Sequence, residues 1–214
     1  MGLDYSFEMV LHKRDLNTFL EELCKHLCEH DRLRLLECLP WAPEVEKNRS
    51  CVGKDLIKEC IGINGLRSMK EEDENDYCFS MLFKRDEILR EYEAEYNDSS
   101  EIDKVAIGCI WTSVYGGNKL AVITFTAATT RMSLLFLSSP EIRETWTDLA
   151  RDTNSLALFF DTEEGDEWYL NYPRMEKVER PYDEPYSIDN ALHLNVDEYY
   201  HEVLTMAGIN YKAV

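Results

Sequence analysis

The chain has 214 residues, 44% of them apolar and 11% aromatic, and 23 Lys and Arg stand against 42 Asp and Glu for a formal charge of −19. This balance makes the chain a poor partner for nucleic acid or anionic lipid, because phosphate recognition needs clustered Lys and Arg, and the aromatic content argues against wholesale disorder. No run approaches 18 apolar residues, so no span of a membrane is expected. The opening lacks the basic start and apolar run of a secretory leader, and seven cysteines then point to reduced thiols in a cytoplasm.

The first element is "DYSFEMVL" (4–11). Tyr5, Phe7, Met9 and Leu11 alternate with Asp4, Ser6 and Glu8, the pattern of a half-buried strand with its polar face to solvent. "HKRD" turns the chain, and Asp15 is placed to cap a helix over "LNTFLEELCKHLCEH" (16–30). Leu16, Phe19, Leu20, Leu23 and Leu27 form its apolar stripe. A further helical turn or two is expected before Pro40, and a short helix around "KDLIKEC" (54–60), broken by Gly62 and Gly65. "KEEDEND" (70–76) reads as a solvated loop.

The opening pattern then returns. "DYCFSMLF" (76–83) repeats "DYSFEMVL", and "KRD" at 84–86 repeats "KRD" at 13–15. Each copy reads as strand, basic turn, Asp cap and helix, so a strand–helix repeat is expected at 4–30 and 76–96. A looser third version spans 130–152, with "RMSLLFL" (131–137) as its strand and Ser139–Pro140 as a cap and first-turn proline. "VAIGCIWTSVY" (105–115) and "KLAVITFT" (119–126) flank "GGN", a tight hairpin. "SLALFFD" (155–161) and "EWYLNYP" (167–173) form a second hairpin across "TEEG". The Pro/Tyr-rich stretch 171–186 reads as an extended arm. "NVDEYYHEVLTMAG" (195–208) closes the chain as a helix, capped at Asn195 and stopped at Gly208. The order implies a single α+β domain over 1–214, a largely antiparallel mixed sheet with three to four helices packed on it.

The opening "MGLDYSFE" resembles uncharacterised bacterial proteins that begin Met-Gly, an apolar residue, then Asp-Tyr-Ser and an aromatic. The resemblance covers the first strand and implies no activity.

"HLCEH" fits the inverted zinc-protease pattern, in which two His four apart on a helix share a metal and Glu29 activates its water. On a helix, however, His26 and His30 flank the apolar face while Glu29 turns to solvent, as on an ordinary core helix. Cys24 and Cys28 flank the same face and offer half of a zinc site, with Cys38, Cys51 or Cys60 to complete it. A small metalloprotein or hydrolase using Cys24, His26, Cys28 and His30 is therefore the alternative reading. The main reading is a cytoplasmic acidic interaction protein, an inhibitor or immunity-type binder of a basic protein, with no cofactor. Its candidate contacts are the acidic loops Glu71, Glu72, Asp73, Glu74 and Glu163, Glu164, Asp166, Glu167, and the aromatics Trp168, Tyr182 and Tyr186. Nucleotide-binding and nucleophile-elbow motifs are missing from the sequence. The pattern leaves oligomeric state open.

Overall fold

The computed structural model describes residues 3–29, 31–32, 76–96, 103–116, 119–162, 167–170, 176–179 and 196–209. The expected helix over 54–60, the charged residues 70–75, the cap at Asn195 and most of the arm 171–186 lie outside them.

Strand β1 (Ser6–His12) is followed by a single 3-10 turn, Lys13–Asp15, and helix α1 (Leu16–Cys24). The second copy builds the same unit: β2 (Asp76–Lys84), then α2 (Glu87–Tyr96). The two turns differ in chemistry. Asp15 makes no side-chain cap bond. Asp86 accepts from the Leu89 N–H at 2.7 Å and from the Ser139 hydroxyl at 2.5 Å.

β3 (Lys104–Gly116) and β4 (Leu120–Ala127) form the expected hairpin. Next come α3 (Thr130–Ser138) and α4 (Pro140–Asp152), each with a side-chain cap: Thr129 and Ser139 accept from the Met132 and Ile142 N–H groups. Here the expectation for 131–137 is corrected, since "RMSLLFL" is helical. Met132, Leu135 and Phe136 are buried while Leu134 and Leu137 are exposed, a helical period that the short apolar run concealed. This helix brings the described α-helices to five, above the three to four expected. β5 (Ala157–Asp161), β6 (Glu167–Leu170) and β7 (Glu176–Glu179) form a meander; β7 arises within the expected arm. The last helix is α5 (Val196–Met206). It ends where Gly208 takes φ +71°. There the Gly208 N–H donates to Thr205 O and the Ile209 N–H to Leu204 O, a Schellman stop.

The fold is α+β. The sheet has seven strands in the order β2-β3-β4-β1-β5-β6-β7, every pairing antiparallel. The N-terminal strand is thus wedged into the middle of a meander. On one face Phe7, Met9, Leu11, Phe79, Met81, Phe83, Ile123, Phe125 and Phe160 pack with residues of α1, α3 and α4. Phe7, Met9, Phe79 and Met81 are all buried, as their alternation implies. On the other face Val10, Leu120, Val122, Ala157 and Phe159 meet Tyr199, Tyr200, Val203 and Leu204 of α5. The Asp197 carboxylate ties α5 to the start of β4 by accepting from the Lys119 and Leu120 N–H groups.

Central placement corrects the reading of β1 as half-buried. Ser6 is only 9% exposed and Glu8 6%, although both alternate out of the aromatic face. Strands on either side and a helix on each face leave little of β1 to solvent.

Candidate functional site

Helix α1 stops at Cys24, six residues short of the expected end. The Lys25 and His26 N–H groups fold back to Glu22 and Leu23 O at 3.0 and 2.9 Å. Residues 26–28 then run along the outer edge of β2: Leu82 N–H donates to His26 O (2.7 Å), Cys28 N–H to Ser80 O (2.9 Å), and Leu27 bridges Met81. The Ser80 N–H donates to Asp31 Oδ2 at 2.8 Å. An edge strand otherwise presents unpaired donors and acceptors to aggregation, and His26, Cys28 and Asp31 occupy those of Ser80 and Leu82. The one-helix geometry that the zinc-protease pattern requires is therefore replaced by an edge clasp.

Burial pushes the Cys24 thiol up to about 11 despite the opposing charge of Arg32. At neutral pH it stays a thiol. Cys28 is half-buried, and His30 lies outside the described residues. Among the described residues no group of three or more His, Cys, Asp or Glu is placed to hold a metal ion.

Burial also holds His26 below its ordinary 6.5, aided by Lys104 and Lys25 and opposed by Glu22 and Asp148. The unfolded chain then binds this proton more readily than the folded one. Stability from this group is full above about pH 6.5 and is lost as pH falls toward the lowered folded value. His26→Gln keeps the backbone clasp, so it is expected to flatten the urea midpoint between about pH 6.5 and pH 5; an unchanged slope would assign the proton to another group.

The acidic and aromatic contacts expected from sequence are only partly placed. Glu71, Glu72, Asp73, Glu74, Glu163, Glu164, Asp166, Tyr182 and Tyr186 lie outside the described residues. Glu167 and Trp168 open β6, where Glu167 stands opposite Glu179 and Trp168 opposite both Asp161 and Val178.

Trp168 belongs to a longer alignment. Directly opposed residues share a sheet face, and the register links Cys78, Trp111, Thr126, Ser6, Asp161, Trp168 and Val178 in one row across all seven strands. The row beside it runs Asp76, Ser113, Thr124, Glu8, Phe159, Leu170 and Glu176. Of the acidic residues in these rows, Glu8 is buried and Asp161 half-buried.

Trp111 reaches this face because of a bulge. Phe79 pairs with Ile110 but Met81 with Ile107, so Gly108 and Cys109 together oppose Ser80. Cys109 adopts φ +55°, a left-handed conformation rare for a side-chain-bearing residue inside a strand. The extra residue lets Ile107 and Ile110 both enter the core and sends Trp111 outward, 49% exposed. In a regular strand, two residues three apart would face opposite ways. Sequence reasoning put Trp111 in the right strand but did not single it out, nor Asp161. The isolated Gly108 was the available signal of a bulge. The exposed Trp111 indole offers a π face to a cation or a peptide.

Comparison with protein-family models, curated proteins and solved structures found no match to the chain.

Proposed function

We propose that this protein is an acidic interaction protein that docks on a basic protein partner, in the manner of an inhibitor or immunity-type binder. The observation that carries this reading is the excess of 19 negative charges. Such a field steers a cationic partner into encounter and disfavours polyanions. No described helix is long and apolar enough to cross a membrane.

A pull-down from host extract at low and high salt identifies the partner, and stopped-flow mixing then measures its association. The rate is expected to fall steeply between 0.1 M and 1 M salt, as the Debye length shrinks from about 10 Å to about 3 Å. Neutralising Glu71, Glu72, Asp73 and Glu74, or Glu163, Glu164, Asp166 and Glu167, is expected to slow association wherever that loop faces the partner. A captured basic partner indifferent to both salt and these eight substitutions would leave the charge as a solubility device.

A further inference from the structure

We infer that residues 25–28, together with Asp31, form a proton-sensitive strap on the outer edge of β2, which lifts on acidification and uncovers the edge groups of Ser80 and Leu82. The inference stands apart from the basic-partner reading and survives its failure.

The strap is lightly held. It leaves α1 at a single turn, where the Lys25 and His26 N–H groups reach back to Glu22 and Leu23 O. Among the described residues three hydrogen bonds fasten it to β2: Leu82 N–H to His26 O, Cys28 N–H to Ser80 O, and Ser80 N–H to Asp31 Oδ2. Leu27, 1% exposed, carries it into the core. On its other side β2 is paired with β3 from Asp76 to Lys84. A short segment fastened in this way opens locally, at a lower cost than global unfolding. Lifting it leaves the β2–β3 pairing in place and frees an edge able to pair with another chain.

The proton enters through His26. Its imidazole is half-buried, and the charges around it come from three elements: Lys104 at the start of β3, Glu22 and Lys25 on and just after α1, and Asp148 of α4. Of the two carboxylates, Glu22 is already engaged by Lys25 Nζ at 2.5 Å. Burial first, then Lys104 and Lys25, oppose charging the ring where it sits, and Glu22 and Asp148 offset them only in part. Lifted into water, the same ring takes its proton at the ordinary value of about 6.5. The lifted strap thus binds the proton more readily than the seated one, and opening becomes easier as pH falls through that value.

Native-state amide exchange of the full chain, read residue by residue by NMR and corrected for the intrinsic rate at each pH, tests the strap. Ser80 and Leu82 are expected to be less protected than Val10 and Ile123 in the central pair β1–β4. Their opening is expected to rise several-fold between about pH 7 and pH 5.5, and by at most about eightfold, the ratio for an imidazole that is ordinary when lifted and neutral when seated. His26→Gln is expected to abolish the rise and Lys104→Gln to reduce it. Asp31→Asn, which keeps an acceptor for the Ser80 N–H, is expected to leave it in place. Unfolding midpoints establish that the variants are folded. Exchange of Ser80 and Leu82 only in step with Val10 and Ile123 overturns the strap, because opening is then global. A rise that persists in His26→Gln, or that disappears in Asp31→Asn, overturns its control by His26. Should His26→Gln not fold, an undiminished rise in Lys104→Gln overturns it equally.

Discussion

Trp146→Ala is expected to lower the unfolding free energy by about 3–5 kcal/mol, the range for deleting a large buried aromatic. Trp146 is fully buried on α4 and joins elements distant in sequence. Its ring lies 4.4 Å from Phe125 of β4, 5.6 Å from Phe7 of β1, 6.0 Å from Phe83 of β2 and 6.5 Å from Phe136 of α3, centroid to centroid. Truncation removes the transfer energy of the indole and leaves a cavity that four rings from four elements cannot collapse to fill. Trp146→Phe is expected to cost markedly less. It retains ring contacts and removes a buried indole N–H that has no acceptor among the described residues. Urea denaturation followed by circular dichroism checks both. A loss below about 1 kcal/mol for Trp146→Ala would place this residue outside the core.

Asp86→Ala is expected to cost about 2–4 kcal/mol, while Asp15→Ala, at the equivalent place in the first copy of the repeat, is expected to cost under about 0.5 kcal/mol. The Asp86 carboxylate serves two helices at once. Oδ1 accepts from the Leu89 N–H in the first turn of α2, and Oδ2 accepts from the hydroxyl of Ser139, itself the cap of α4. Removing it uncaps α2 and leaves the fully buried Ser139 hydroxyl without this acceptor. Asp15 carries no cap bond and meets Arg14, itself exposed, only at 3.9 Å, a pair that contributes little. Asp86→Asn retains an acceptor oxygen and is expected to recover about half of the loss. Equal effects at Asp15 and Asp86 would show that the two copies are used alike and that the link to Ser139 carries no energy.

The contrast shows how far local patterns reach. "KRD" is the same three letters in both copies, and in both it turns a strand into a helix. Its energetic role differs because only the second copy ends beside the N-terminus of another helix. Similarly, Phe7 and Phe79 are buried on one sheet face as their alternation requires. Glu8 in the first copy is nevertheless covered, for β1 lies mid-sheet, whereas Ser80 at the same place in the second lies at the sheet edge and meets Asp31 through its N–H.

The candidate site was less legible than the fold. Trp168 stands out by composition alone, and the register places it in one row with Trp111 and Asp161. Those two carry no such mark, because a strand's outward face depends on register, and a bulge changes register by one residue with no more warning than a glycine. "HLCEH" misleads in the opposite direction. Its spacing is that of a metal-binding helix, but the local preference for helix beyond Cys24 yields to the backbone hydrogen bonds offered by the edge of β2. A net charge, by contrast, is a sum over residues and does not depend on how the chain folds.

The sequence by itself determined the α+β class, both hairpins, the strand–turn–helix repeat, the caps at Asp86 and Ser139, the stop at Gly208 and the acidic field, because each arises from short-range sterics, local hydrogen bonding or composition. Tertiary structure alone decided that β1 lies at the centre of the sheet, that residues 131–137 are helical, that α1 ends at Cys24 to clasp β2, and that Trp111 faces outward in line with Asp161. Each of these depends on which groups of distant residues meet, and the free energy of pairing a strand edge or burying an aromatic face outweighs the fraction of a kcal/mol per residue by which local propensities differ.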